Sequence, residues 1–247
     1  MKPSCRARGL RDEIIAGGRA ISTNAGVRRL WLVRHGLTRW NSQQRFCGHS
    51  DIALSSQGRS QARWLARQLR SAPIGVIYSS DLLRARETAE IIAAEHAVPL
   101  KLSAAWREIH FGAWEGLTYA QISERFVEQT AFFTDPLRYA PPGGETLASL
   151  WQRVHSGVQE IMLSDIAASA EQEAAGQSDV LIVSHGGPLR LLLCYALGLA
   201  LEQQWRWRID PGSLSALDVL VGGEGTSFQA ILSLLDMQRP RRKASAI

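Results

Sequence analysis

The sequence predicts an α/β protein: a three-layer sandwich whose central sheet is mostly parallel and carries helices on both faces. Two observations favour this class. Short apolar runs alternate with segments of helical periodicity from residue 30 to residue 237, which is typical of strands joined by helical crossovers. The runs are apolar throughout, as expected of strands that are buried on both faces.

The first half of this region contains two strand–helix pairs. The strands are short apolar runs, and the first long helix presents Ala62, Leu65 and Leu69 at helical spacing. Ser55 or Ser56 is available to cap that helix. In chain order the predicted elements are a strand at 30–33, a helix at 57–69, a strand at 76–78 and a helix at 81–95.

The second half begins with two helices and ends with a hairpin. The breaker at 141–144, Pro-Pro-Gly-Gly, separates the helices. Two final apolar runs flank a glycine-rich turn, which is typical of a hairpin. The predicted elements are helices at 117–134 and 145–166, a strand at 180–183, a helix at 189–199 and hairpin strands at 214–221 and 228–235.

Composition is that of an ordinary globular protein. Apolar residues make up 45% and charged residues 21% of the 247 residues, and the three widely spaced cysteines favour neither a disulfide framework nor a zinc site. No apolar run is long enough for a membrane-spanning helix, and no signal core follows the basic N-terminus. We therefore expect a cytoplasmic protein.

The net charge of +5 is unevenly distributed along the chain. Residues 1–29 contain seven Lys or Arg and two acids, and residues 238–247 contain four basic residues and no acid. These tails sum to +9, which leaves 5 − 9 = −4 for residues 30–237. We predict a disordered basic tail at 1–29, one domain at 30–237 and a second basic tail at 238–247, and we expect no nucleic-acid binding because the folded part is acidic.

Polar groups suited to an anion follow three of the predicted strands. Arg34 and His35 follow the first strand, Arg84 comes soon after the second, and His185 follows the third. Because ligands bind beyond the carboxyl ends of the strands in such sheets, we expect these side chains at one mouth. Gly186 opens a helix whose N–H groups favour a negative ligand.

These residue types favour phosphoryl transfer over acyl transfer. Arginine offers a rigid, permanently charged fork that matches phosphate oxygens in pairs, and fixed donors stabilise the charge that spreads over three equatorial oxygens. A neutral histidine such as His35 can attack in line. A carboxylic acid must protonate the leaving oxygen; Glu108 is the candidate and Glu115 is a nearby rival.

Four segments together resemble the histidine phosphatase superfamily, also called phosphoglycerate-mutase-like. They follow the family's order, and the resemblance covers roughly residues 30–220. The segments are LVRHGLTRWN at 32–41, YSSDLLRA at 78–85, EIHFGAWEG at 108–116 and VSHGG at 183–187. The resemblance implies the phosphoglycerate-mutase-like version of the sandwich fold.

The resemblance also implies a role for each residue. His35 would be the phosphorylated nucleophile and Glu108 the proton donor, while Arg34, Arg84 and His185 would clamp the phosphate. The family needs neither a metal ion nor an organic cofactor for this chemistry. The positions implied for substrate binding are Thr38, Asn41, Gly48 and Gly186.

The stretch after the third segment favours a phosphatase over a mutase. Mutases that resemble this chain carry a long insertion there that excludes water. In this chain only the short stretch 117–142 lies between Gly116 and Gly143. Water should therefore reach the phosphohistidine. Segments at 111–116, 142–146 and 207–213 look like alpha-ribazole phosphatases of cobalamin assembly, and broad-specificity sugar-phosphate phosphatases share much of them.

Two alternatives stay open: a cofactor-dependent phosphoglycerate mutase and a catalytically silent phospho-ligand-binding module. The expected partner is a small phosphorylated metabolite, without nucleic acid or membrane, and the chain would be a monomer or a homodimer. Specificity is expected from the 37–50 loop and the 117–140 helix, with Trp40 or Trp205 near the substrate. Cys47 is either a reactive thiol or a buried one, and His49 is expected to face solvent.

Overall fold

The computed structural model describes residues 26–162, 178–221 and 229–240, in which six strands form one mixed sheet. The strands are β1 (Gly26–Arg34), β2 (Ile74–Ser80), β3 (Leu100–Ser103), β4 (Asp179–Ser184), β5 (Leu214–Val221) and β6 (Gln229–Met237). The α-helices are α1 (Arg39–Ser42), α2 (Ser56–Leu69), α3 (Leu83–Ala93), α4 (Tyr119–Arg125), α5 (Leu147–Ile161) and α6 (Gly186–Ala196). The predicted fold class is confirmed.

The strand order β3-β2-β4-β1-β5-β6 places three parallel neighbours, β2, β4 and β1, at the centre of the sheet. β5 and β6 run antiparallel and form the predicted hairpin, with β6 at the edge. In the parallel register Arg34 lies beside Ser184, and Ser79 lies beside Val183. The carboxyl ends of the three central strands therefore meet at one edge of the sheet, where a ligand site is expected.

Each central strand contributes to two hydrophobic cores because successive side chains point to opposite faces of the sheet. One core packs against α5 and α6, and the other packs against α2 and α3. The strand residues in the first core include Leu32, Tyr78 and Ile182. Those in the second core include Val33, Ile77 and Leu181.

Helix α2 and strand β1 begin earlier than the sequence pattern predicts. Helix α2 begins at Ser56, where the Ser55 hydroxyl accepts a hydrogen bond from the Gly58 N–H as an N-cap. Strand β1 begins four residues before the predicted strand, so 26–29 belong to the sheet and not to the tail. The rest of the predicted tails, 1–25 and 241–247, lies outside the described residues, as does the hairpin turn at 222–228.

The single helix predicted at 117–134 is wrong. Helix α4 ends at Arg125, and a 3-10 segment continues from Val127 to Phe133. In one continuous helix the side chains of Phe126 and Phe132 would point about 120° apart, yet both rings pack on Trp114. The break lets one aromatic cluster form. Strand β3 at the other edge of the sheet was not predicted, because its four residues are too few for an alternating pattern to be distinctive.

The helix predicted at 145–166 begins at Leu147 and ends at Ile161. The final residues of the predicted range lie in the gap of the description at 163–177. None of the helices within the described ranges has the length and apolar character to cross a membrane.

Candidate active site

The central strand ends form the floor of a cavity of about 240 Å³. His35 directly follows β1, and its backbone N–H donates to the carbonyl of Ser184 on β4 at 3.0 Å. The ring centroids of His35 and His185 are 5.0 Å apart, with an interplanar angle of 60°. Residues predicted from separate strand ends therefore come together in the folded chain.

The hydrogen bonds of the His35 ring define its tautomer. Nδ1 lies 2.7 Å from the backbone oxygen of Gly36, which can only accept, so Nδ1 carries the hydrogen. Nε2 lies 3.3 Å from Nε of Arg84, which can only donate, so Nε2 presents its lone pair. Burial, followed by the charges of Arg84 and Arg34, holds the pKa of His35 well below 6.5. The ring is therefore neutral at physiological pH.

Arg84 is fully buried at the first turn of α3. Its terminal nitrogens donate to the carbonyls of Gly48 at 2.7 Å and Ser50 at 2.9 Å, and its Nε points to His35. Burial lowers the pKa of Arg84 below its usual value, but a guanidinium remains charged in a protein. The site thus contains a fixed cation whose protein acceptors are uncharged backbone groups and a neutral ring.

Arg34 is held in a similar way at the end of β1. One of its terminal nitrogens donates to the carbonyl of Ile209 at 2.6 Å. Its buried Nε has no hydrogen-bond partner within the described ranges. Burial lowers the pKa of Arg34, and the nearby positive charge of Arg190 lowers it further.

His185 is completely buried, with its ring beside that of His35. Its Nε2 is 2.9 Å from the hydroxyl of Ser80 at the end of β2, and its buried Nδ1 lacks a partner in the described part of the chain. Burial, followed by the charge of Arg84, holds the pKa of His185 well below 6.5. His185 does not line the cavity directly.

Glu108 lines the cavity opposite His35, and its carboxylate binds the first turn of α6. Glu108 Oε1 accepts from the backbone N–H of Gly187 at 3.0 Å and from that of Ile109 at 3.0 Å. The positive end of the helix dipole favours a carboxylate at this position. The first turn of α6 therefore binds the acid within the cavity.

Glu115, the rival acid, has a different role. Its carboxylate accepts backbone hydrogen bonds from His49 at 2.8 Å and Ser50 at 2.6 Å. It is not part of the cavity wall. Glu115 therefore supports the loop whose carbonyls, including that of Gly48, bind Arg84.

The segment that carries Glu108 is held from behind by Arg153 on α5. The Arg153 guanidinium donates to the carbonyls of Arg107 at 2.6 Å and Glu108 at 2.7 Å, and also to those of Ala104 and Ala105. A salt bridge of 2.6 Å to Glu145 orients it. Arg153 was not predicted from the sequence, because its acceptors are backbone atoms that leave no residue-type signal.

His49 takes part in the same support and is half-buried, whereas it was expected to face solvent. Its Nε2 donates to the Glu108 carbonyl at 2.9 Å, and its ring packs on His110 at a centroid distance of 4.7 Å. Burial, with the charge of Arg153, lowers the pKa of His49. The backbone oxygen of Glu108 thus accepts from two cationic or polar side chains, His49 and Arg153.

The positions implied for substrate binding differ in where they lie. Asn41 is part of the cavity wall, and its Oδ1 accepts from the Thr38 backbone and hydroxyl. Thr38, Gly48 and Gly186 are buried and do not line the cavity. Thr38 caps α1, and Gly48 adopts φ +46 with its carbonyl on Arg84. A Cβ at Gly186 would contact the Arg34 guanidinium at 3.4 Å, so this glycine lets the helix approach the arginine.

Much of the cavity wall is apolar, and several of its residues were not predicted. Trp205 is part of the wall, whereas Trp40 is not. Arg190, one helical turn after Gly186, also lines the wall and was not predicted. Cys47 also lines the wall, but burial raises the pKa of its thiol, which favours the unreactive protonated form. The apolar wall residues are Phe46, Ile109, Phe111, Phe132, Leu147 and Leu150. The 37–50 loop thus contributes as predicted, but the 117–140 segment contributes Phe132 alone.

Comparison with known proteins identifies the family. A model of the histidine phosphatase superfamily (branch 1) matches residues 30–229. The chain belongs to this superfamily. It is 33% identical over 213 residues to the adenosylcobalamin/alpha-ribazole phosphatase of Salmonella typhimurium, a match that covers 86% of this chain and 99% of the relative.

Relatives of this histidine phosphatase include one whose name gives another substrate and one solved structure whose name gives alpha-ribazole. The chain is 32% identical over 198 residues to the glucosyl-3-phosphoglycerate phosphatase of Mycolicibacterium vanbaalenii, covering 80% of this chain and 85% of that protein. A crystal structure of the alpha-ribazole phosphatase from Shigella flexneri matches with a TM-score of 0.72 at 28% identity, covering 87% of this chain and 100% of that one. Because the family and its named relatives agree, the chain is a phosphatase.

Proposed function

We propose that this phosphatase hydrolyses phosphomonoesters in two steps through a phosphohistidine at His35. The observation that carries the proposal is the ring's tautomer: the Gly36 carbonyl holds the hydrogen on Nδ1, which leaves a lone pair on Nε2 beside Arg84. The low pKa keeps this lone pair available at neutral pH. A buried neutral imidazole beside two arginines is the nucleophile that an anionic phosphoryl group requires.

The phosphoryl group would be bound by Arg34, Arg84 and His185. Arg34 Nε and His185 Nδ1 are buried and lack partners within the described residues, and leaving a buried donor unpaired costs about 1–3 kcal/mol. Phosphoryl oxygens would satisfy the Arg34 donor, and they would also satisfy His185 in the tautomer that carries its hydrogen on Nδ1. The charges are fixed before the substrate arrives, so little reorganisation is needed in the transition state.

The first step transfers the phosphoryl group to the enzyme. His35 Nε2 forms a bond to phosphorus while the bond from phosphorus to the ester oxygen breaks, and the carboxylic acid of Glu108 gives its proton to the departing alcohol. The second step reverses these roles: Glu108 takes a proton from water as the water oxygen bonds to phosphorus, and the bond to Nε2 breaks. Phosphate leaves, and His35 and Glu108 return to their initial forms.

Two substrate classes are candidates for the physiological ester. Alpha-ribazole phosphate is supported by the relatives from Salmonella and Shigella and by the apolar wall of the cavity, which suits a leaving group with an apolar surface. A sugar phosphate or another small-metabolite phosphate is supported by the relative that acts on glucosyl-3-phosphoglycerate. A screen of purified protein against alpha-ribazole phosphate, sugar phosphates and phosphoglycerates separates these classes.

Rapid-quench labelling tests the mechanism. Turnover of a 32P-labelled phosphomonoester should give an acid-labile, base-stable phosphoenzyme in the wild type and none in His35→Ala. His155→Ala is a matched control, because His155 lies on α5 outside the cavity wall; it should label like the wild type. Steady turnover without any labelled protein at the shortest quench times would refute the phosphohistidine.

Metal dependence is a second test. Among the described residues no three His, Cys, Asp or Glu side chains are grouped so that they could bind a metal ion, and Arg34 and Arg84 already supply positive charge. We therefore propose that hydrolysis needs no metal ion. Activity should survive prolonged dialysis against a chelator, and a loss that is restored by adding back a divalent metal would contradict this part of the proposal.

A further inference from the structure

The charges that line the cavity exceed what one phosphoryl group requires. Four arginines reach the wall, and a single carboxylate, that of Glu108, faces them. Within the described ranges none of the four is in a salt bridge with a side chain. The arginines are Arg34, Arg45, Arg84 and Arg190. A phosphomonoester dianion offsets two positive charges, so positive charge remains in the cavity for a second anionic group of the substrate.

Arg190 is the arginine best placed to use this excess. It lies four residues after Gly186 on α6, so it shares the helix face that approaches Arg34 and is about 6 Å, just over one turn, farther along the axis. Its positive charge is close enough to lower the pKa of Arg34. Arg190 is therefore part of the cavity wall near the phosphoryl site, but about one helical turn away from it.

The Arg190 guanidinium is held in place with donors to spare. Its Nε donates to the carbonyl of Trp207 at 3.0 Å, and its planar group lies 5.7 Å from the ring centroid of Trp205. In the described part of the chain its terminal nitrogens have no acceptor. By contrast, Arg45 already donates to Gln43 and Gly116. A fixed fork with two open NH2 groups matches the geometry of a carboxylate.

We propose that Arg190 selects phosphomonoesters whose leaving group carries a carboxylate a few bonds from the phosphate. The inference rests on the proposed function and favours its carboxylate-bearing candidates over alpha-ribazole phosphate, whose leaving group has no carboxylate. The carboxylate would accept both terminal N–H groups of Arg190 while the phosphoryl group lies against Arg34 and Arg84. Trp205, which is 56% exposed, would cover the outer side of this second subsite.

Matched substrate pairs test the proposal. Phosphoserine and phosphoethanolamine differ only by a carboxylate, as 3-phosphoglycerate and glycerol 3-phosphate differ by a carboxylate in place of a hydroxymethyl group. For the wild type, kcat/KM should favour the carboxylate-bearing member of each pair on the order of tenfold or more, the size expected of a charge-assisted hydrogen-bonded contact. In Arg190→Gln the ratio should fall toward one, and Arg190→Lys should keep part of it.

Arg206→Gln is the matched control, since Arg206 is exposed, follows Trp205 on the 3-10 segment Leu201–Arg206 and does not line the cavity; its ratios should equal those of the wild type. Calorimetric titration of the same pairs into His35→Ala measures the preference without turnover, so it would remain informative if the chain hydrolysed none of these esters. Equal affinity and equal kcat/KM within the pairs, or a preference that persists in Arg190→Gln, would overturn the proposal. Hydrolysis without preference would leave the phosphohistidine mechanism standing.

Discussion

Gly187 leaves no room for a side chain between the first turn of α6 and the carboxylate of Glu108. A Cβ atom at Gly187 would lie 2.4 Å from Glu108 Oε1, whereas ordinary contacts of a Cβ begin at 3.4 Å. The carboxylate in Gly187→Ala must therefore move by about 1 Å, and a displacement of this size at a catalytic group costs on the order of 100-fold in rate. We expect kcat/KM for an alkyl phosphate to fall by that order.

The fold should survive this substitution. The atom that would clash is at the end of a flexible side chain, and alanine is more favourable than glycine in a helix by up to about 1 kcal/mol. The thermal unfolding midpoint of Gly187→Ala should therefore stay near that of the wild type or rise. A large fall in the midpoint would show that the loss of activity comes from unfolding and not from displacement of Glu108.

The choice of leaving group makes the assay specific for the proton donor. An alkoxide needs protonation as it departs, whereas p-nitrophenolate is a stable anion and needs little. Gly187→Ala should therefore lose much more kcat/KM on glycerol 3-phosphate than on p-nitrophenyl phosphate. The matched comparison is Gly186→Ala, whose Cβ would make an ordinary 3.4 Å contact with Arg34, so no loss selective for the alkyl ester is expected there.

A double-mutant cycle completes the experiment. If Gly187→Ala acts through Glu108, it should cost little in a Glu108→Gln background, because the group that it displaces no longer donates a proton. Residues that act as one unit show such non-additivity. Equal losses on both esters, or fully additive losses in the double variant, would refute the assignment of Glu108 as the acid that Gly187 accommodates.

Three further predictions concern the supports of the site. Gly48 has φ +46, and the Cβ of Gly48→Ala would lie 2.0 Å from a carboxylate oxygen of Glu115, so kcat/KM should fall about tenfold or more. Gly143→Ala is the control: Gly143 has φ +67, but its Cβ would have nothing within 4 Å, so kcat/KM should change little. Arg153→Met removes the donors to the Glu108 segment and should lower both kcat and the free energy of unfolding, the latter by about 2–4 kcal/mol, as measured by steady-state kinetics and urea titration. The folded state keeps His35 neutral below pH 6.5, whereas the unfolded chain binds a proton there. The free energy of unfolding measured in urea should therefore fall as the pH drops below 6.5, by up to about 1.4 kcal/mol per pH unit for this ring. The fall should be smaller in His35→Gln.

The convergence of the site was predictable because it depends on topology. Parallel strands end at one edge of a sheet, so His35 and His185 could be placed together from two apolar runs and the residues that follow them. The support of Glu108 was not predictable, because Arg153 and His49 act on a backbone carbonyl. Any residue can supply such an acceptor, so the sequence carries no mark of it.

Arg190 was not predicted as a site residue, because its helix begins earlier than the sequence pattern indicates. The apolar run predicts the body of the helix at 189–199, with Gly186 only as the opening that offers N–H groups, so Arg190 falls at the first turn of the predicted helix. In the structure α6 begins at Gly186. Proline is tolerated in the first turn because its missing N–H has no acceptor there anyway. With the helix extended by one turn, the four-residue spacing from Gly186 to Arg190 points the arginine toward the cavity.

The acceptors of the buried arginines explain how the site keeps its positive potential. Arg84 and Arg34 donate to backbone carbonyls, which satisfy hydrogen bonds without cancelling charge. A carboxylate in the same positions would neutralise each cation and compete with the phosphoryl group. The carboxylates nearby are used otherwise: Glu115 binds backbone N–H groups of the loop, and Glu145 pairs with Arg153 behind the Glu108 segment. A substitution that places a carboxylate within reach of Arg84 should therefore weaken phosphate binding even where the fold tolerates it, because the new carboxylate would neutralise the charge that attracts the phosphoryl group.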